Sequence, residues 1–349
     1  MTTKTRYFVI ASLLTLGVGL GTGLVAYYVG FPAGAVGRRG GPEELEYVPR
    51  DATVIAFANV HEVMTSELRQ KIRHAVPLKE DGRQELERET GINIETDIDR
   101  VVACVNPDPG GTNMPGAGMV LARGRFDEVK IEALMREHGA HVESYNGKRL
   151  IVADSDAAAA DVPRVRVHPG PFALSFIEPG LAAIGSLRLI KSAIDLHRAG
   201  NNPQAGLESV TGNDELMNLV RSMDDGNAWA VGRFDALRSK AHLPDAMSSQ
   251  LPPITWFSVS SHVNGGIRGV VRAEASDDQA ASNLRDVVRG FVALAKLQAG
   301  AKPEYQAVLQ SLELGGTGKT VALSFSVPIE VFDVIGQHGP DGYKNLKPR

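Results

Sequence analysis

The longest apolar run is Tyr7 to Phe31, YFVIASLLTLGVGLGTGLVAYYVGF, with no charged residue. A helix rises about 1.5 Å per residue, so this run can cross a hydrocarbon core of roughly 30 Å with some tilt. It is longer than the roughly 7–15 apolar residues of a signal-peptide core, and Tyr27, Tyr28 and Phe31 stand where interfacial aromatics belong. The pattern predicts a stub over 1–6 and an uncleaved transmembrane helix over 7–31. The competing reading is a cleaved signal peptide, with Lys4 and Arg6 as its basic start and Ala33-Gly34-Ala35 as its cleavage site. Gly17 and Gly21 are four apart and share a helix face, where small residues let two helices approach in lipid. They are the candidate face for a transmembrane homodimer.

Residues 32–46, rich in Gly, Pro and charge, read as a flexible spacer. From Tyr47 the periodicity alternates. DATVIAFANV (51–60) reads as a central strand covered on both faces. A helix follows, with Met64, Leu68, Ile72 and Ala75 on one face, and a charged helix over 83–90 ends at Gly91. Ile98 to Val105 and Gly118 to Gly124 read as strands, and Asp127 opens a helix bearing Ile131, Leu134, Met135 and His138. Residues 141–153 form a hairpin turned at Asn146-Gly147. Two further strands turn at Pro179-Gly180, Ser186 caps a helix, and another helix covers 214–223.

The second half repeats the logic. Trp229 to Arg233 is a strand, and 235–241 a short helix. A hairpin turns at Asn264-Gly265-Gly266, and Ser276 with Gln279 forms a capping box for a helix reaching about Gln298. Helix 304–312 and strand 321–327 close it. The order β-α-β-β-α-β therefore occurs twice, at about 51–153 and 227–327. The expected fold class is α+β: one transmembrane helix, then two tandem split-βαβ (ferredoxin-like) units with antiparallel sheets, 47–225 and 226–336, and a polar tail 337–349. Gly124-Arg125-Phe126-Asp127 and Gly232-Arg233-Phe234-Asp235 occupy matching strand-to-helix corners. They read as a packed Phe with a capping Asp, or alternatively as paired arginines clamping a ligand.

Composition changes this picture little. The chain has 349 residues and a formal net charge of −4, and offers no basic stripe for nucleic acid. Its single cysteine, Cys104, lies in VVACV and reads as a buried, inert thiol. Lys4 and Arg6 flank one end of the apolar run and Arg38 and Arg39 the other. The arginines lie further off and are followed by Glu43, Glu44 and Glu46, which favours the amino terminus inside.

Chemical motifs are sparse. Gly315-Gly316-Thr317-Gly318-Lys319-Thr320 resembles a phosphate loop, but Glu313 stands where the first glycine is needed and a strand follows, so it reads as a hairpin turn. His138 and His141 have metal-like spacing without further ligands, and His61-Glu62 lacks a second histidine at Thr65. Asp224-Asp225 and Asp277-Asp278 read as helix-boundary acids. No cofactor, metal or catalytic residue is expected.

The segments VPRDATVIAFANVHEV (48–63), GINIETDIDRVV (91–102) and LAAIGSLRLIKSAIDL (181–196), with the two GRFD corners, resemble uncharacterised bacterial envelope proteins that carry a large domain of unknown function behind an amino-terminal anchor. The resemblance spans most of 47–335 and implies a single-pass bacterial inner-membrane protein whose large domain faces the periplasm or exterior. It brings no catalytic residue, and this chain lacks a lipid-attachment cysteine. The expectation is a non-catalytic, membrane-anchored binding or scaffolding protein. Its partners would be the bilayer through 7–31, an unidentified envelope protein and a second copy of itself. The alternatives are a small-molecule carrier using a groove between the two units, and a hydrolase whose site is assembled from distant residues.

Overall fold

The structure, a computed structural model, describes residues 41–75, 87–106, 118–153, 171–200, 208–223, 226–234, 252–298 and 303–331. The apolar run 7–31 with Gly17 and Gly21, the expected helix at 235–241, Asp224-Asp225 and the tail lie outside the described residues. Among the described residues, no helix is long and apolar enough to cross a membrane.

The twelve strands among the described residues are β1 (Val54–Ala58), β2 (Ile98–Val105), β3 (Gly118–Gly124), β4 (His141–Tyr145), β5 (Lys148–Ala153), β6 (Phe172–Glu178), β7 (Leu181–Ser186), β8 (Ala228–Arg233), β9 (Ile254–Val263), β10 (Gly266–Ala275), β11 (Glu313–Gly315) and β12 (Thr320–Pro328). They form one sheet in the order β11-β12-β10-β9-β8-β1-β2-β3-β7-β6-β5-β4. Every pairing in it is antiparallel.

This corrects the expectation of two tandem ferredoxin-like units. A split βαβ unit keeps the strands on either side of its helix parallel, with a third strand between them. Here β1 and β2 are separated in sequence by helices yet are antiparallel neighbours, from Val54↔Val105 to Ala58↔Val101. β8 and β9 are likewise antiparallel neighbours. The other edge of β1 pairs with β8, Val54↔Gly232 to Ala58↔Ala228, so the halves share one sheet. The reason lies in β1 itself. Its sequence VIAFA is apolar at every position, so it fits a strand laddered on both edges and covered on both faces.

Alternating side chains give two cores. One face, with Ile55, Phe57, Val102, Cys104, Met119 and Leu121, packs under α5 (Leu187–Ala199), α6 (Asp214–Arg221) and a 3₁₀ turn, Glu43–Tyr47. On the opposite face, Val101, Ala103, Val120 and Ala122 lie near Val60 of α1 (Val60–Thr65) and Ile94 of α3 (Ile94–Asp97). Further along, Ile151, Leu174 and Ile184 meet Ile131 and Met135 of α4 (Glu128–Glu137). At the other end of the sheet, α7 (Asp278–Gln298) places Ala281 and Leu284 against Ala275 and Val321, and α8 (Pro303–Gln310) follows.

Helix starts were the most legible feature. Asp127 accepts from the Lys130 amide at 2.9 Å, and Ser186 from the Leu189 amide at 3.5 Å. Two expectations shift. The helix expected through Met64 and Ala75 breaks at Ser66, whose ψ of 150° is extended, into α1 and α2 (Glu67–Ala75). The cap of α7 is Asp277, which accepts from the Ala280 amide at 2.7 Å, rather than Ser276.

The repeated Gly-Arg corners have one geometric cause. Gly124 opposes Ile98, the first residue of β2, and Gly232 opposes Val54, the first residue of β1. The following amide, of Arg125 or Arg233, donates to the carbonyl just before that strand, Asp97 or Thr53, at 2.7 and 2.8 Å. A Cβ on Gly124 would overlap the Asp97 oxygen, and one on Gly232 would lie 2.7 Å from the Thr53 oxygen.

Gly124→Ala should therefore cost about 1–3 kcal/mol in urea unfolding, the usual scale of overpacking. Gly290→Ala, in α7 with nothing within 4 Å of the added carbon, should gain about 0.5–1 kcal/mol. Equal effects of the two substitutions would contradict the close-approach account.

Candidate functional site

Arg100 of β2 and Arg123 of β3 are directly opposite one another. Like charges in that position repel across a ladder, so the pair calls for an anion. The 3₁₀ turn supplies it. Glu44 is fully buried, and Arg100 Nε donates to its Oε1 at 2.9 Å and its Oε2 at 3.1 Å. Arg123 Nε donates to the same Oε1 at 2.9 Å. The outer side of Arg123 pairs with Glu178 of β6 at 2.7 Å, and Tyr47 Oη donates to the other Glu178 oxygen at 3.3 Å. Leu45 and Val48, both fully buried, pin the turn on either side of Tyr47.

Burial and then the Glu178 charge push the Tyr47 hydroxyl up to about 12, so it stays protonated and donating. Burial opposes the charge on Arg123, but its bonds to Glu44 and then Glu178 outweigh it and raise its pKa. The cluster is a lock. Each charge faces an opposite one, and its effect is to bolt the turn to the middle of the sheet. The spacer expected over 32–46 therefore ends earlier, because residues 43–46 belong to the folded body.

A second feature lies near the β11 end of the sheet. Arg289, Val292 and Ala293 of α7, with Leu312, Leu314 and Leu323, line an open, mostly apolar cavity of about 210 Å³. Phe291, on the other side of the same helix, is exposed.

The other sequence candidates fall apart or become structural. His138 Nδ1 bonds the Leu134 carbonyl at 2.7 Å and His141 Nε2 the Glu143 carboxylate at 3.2 Å, and the described residues contain no group of side chains able to hold a metal. Cys104 is buried, which pushes its thiol up to about 12. The glycine-rich stretch joins β11 to β12 as a hairpin. At the first GRFD corner, Phe126 packs 6.1 Å from the Phe176 ring, Asp127 caps α4, and Arg125 pairs with Asp97 at 2.9 Å, leaving no clamp there. Asp235 of the second corner lies outside the described residues. The Glu44 cluster was missed. The signal for it was an arginine within each of two apolar strands, DRVVACV and MVLARG, with a carboxylate next to Leu45 upstream.

No protein-family model and no curated protein matches the chain. Among solved structures, crystal form I of TP0453 is similar with a TM-score of 0.44 and 6% identity, covering 84% of this chain and 96% of that one. A likeness of that degree transfers neither fold nor activity.

Glu44→Ala should lower stability by about 2–3 kcal/mol in urea unfolding, somewhat below the roughly 3–5 of a fully buried pair because Arg100 is 36% exposed. Glu43→Ala removes a 3.8 Å pair whose glutamate is 61% exposed and should cost under about 1 kcal/mol. Similar losses in the two variants would contradict the lock.

Proposed function

We propose that this chain is a membrane-tethered bacterial envelope protein whose large domain faces the periplasm or exterior and binds or scaffolds a partner without catalysis. The observation that carries the reading is the burial of Glu44. The apolar run 7–31 is the tether. The ten residues from Pro32 to Gly41 then reach at most about 36 Å before the locked turn begins. A tether that ends in a bolt between two central strands keeps a sheet roughly 50 Å across within that reach of the bilayer, which is what a scaffold needs.

The carrier reading loses its expected location, because β1 and β8 are hydrogen-bonded through five residue pairs where a groove between units was expected. The apolar cavity at α7 is the surface on which a partner is best sought.

A reporter fused after Arg349 should be active only when exported, and a photo-crosslinker at Ala293, an exposed residue lining the cavity, should capture a discrete partner in native membranes. Cytoplasmic reporter activity from an intact chain would overturn the location. A crosslinker that yields only lipid adducts would overturn the protein-binding role.

A further inference from the structure

The seam between the halves ends in a pair of asparagines. Beyond Ala58↔Ala228 the ladder continues as Asn59 N–H donating to the Asn227 carbonyl at 2.8 Å. Both side chains then reach the same carboxylate. Asn59 Nδ2 donates to Glu62 Oε1 at 2.9 Å, and Asn227 Nδ2 to Glu62 Oε2 at 3.2 Å. Asn59 Oδ1 is occupied, because it accepts from the Glu62 amide at 3.1 Å and caps α1. Asn227 is only 2% exposed, its backbone N–H is held by Ser261 of β9 at 3.1 Å, and its Oδ1 has no partner.

This arrangement is one-sided. An ionised carboxylate only accepts, so it takes a bond from Asn227 and returns none. A neutral carboxyl group carries one donor and one acceptor, the complement of a primary amide. We propose that Glu62 is a proton-operated clasp on the seam: one proton taken from solvent lets its carboxyl group return a hydrogen bond to the Asn227 side chain, so that mild acid tightens the joint between the halves.

The electrostatics agree with the geometry. Glu62 is itself largely exposed, and the partial desolvation of its carboxylate raises its pKa, while His262 of β9 and then His61 of α1 act in the opposite direction. Among the described residues those are the charged groups acting on it, and β1 and β8 present the neutral amides of Asn59 and Asn227. A carboxyl group whose folded pKa lies above its unfolded value binds its proton more tightly when folded. Its stabilisation is complete below the unfolded value, about 4.3, and is lost as pH rises through the folded one. For a protein facing a compartment whose acidity follows the surroundings, the clasp would couple seam stiffness to pH.

The test uses the full chain in detergent micelles. Melting temperature is measured from pH 7.5 to 4.5 for the wild type and Glu62→Gln, whose amide supplies donor and acceptor at every pH. Subtracting the two curves, each recorded with His61 and His262 replaced by glutamine, isolates Glu62 from the histidines that act on it. The wild type is expected to gain about 1–2 °C on Glu62→Gln across that range. A difference independent of pH would overturn the clasp. Should the variant fail to fold, the carboxyl carbon of Glu62 is titrated by NMR in the wild type. A midpoint above 4.3 supports the proposal, and one at or below it overturns it.

Discussion

The structure depends on the pairing of β1 with both β2 and β8. A strand of five apolar residues has no side chain that water would favour and ten backbone groups that must be bonded. Either edge left open would be a long, uncharged invitation to aggregation. Closing both edges joins the two halves of the chain. The seam is packed as well as bonded, since Phe57 of β1 stacks on Trp229 of β8 with ring centroids 5.6 Å apart. Burying two such rings against each other adds about 0.5–1.5 kcal/mol beyond their area. The cores on the two faces then follow, because helices from either half can settle on a surface that does not stop at the boundary between them.

Against that sheet the two charged features play different parts. Glu44 answers an arginine pair that the register of β2 and β3 forces together, and its removal would leave two cations facing one another in a half-buried site. Glu62 answers two amides at the end of the seam and leaves one oxygen without a donor. The first is complete as it stands and holds position. The second is incomplete by one proton.

Local signals were legible and global ones were not. The boundaries of β2 and β3, the Asn146-Gly147 turn and the caps at Asp127 and Ser186 follow from period, β-branched content and side-chain oxygens placed to receive amides. Strand order does not, because the run VIAFA suits any central position in any sheet, and an antiparallel meander interrupted by helices leaves the same linear pattern as a split βαβ unit. The lock was hidden for a related reason. Glu44 reads as one more acid in a charged spacer until Arg100 and Arg123 are known to be opposite each other. The GRFD repeat, by contrast, was visible, and its cause is a carbonyl that passes too close for any residue but glycine.

The central claim is that the two halves share one sheet through β1 and β8, and native-state hydrogen exchange tests it most directly. The amides of Val54–Ala58 and Ala228–Gly232 should exchange in the slowest class, together with β2 and β9, because opening the seam requires unfolding the cores on both faces. Fast exchange at the seam, while β2, β3, β9 and β10 remain protected, would show two separately stable units and contradict the account.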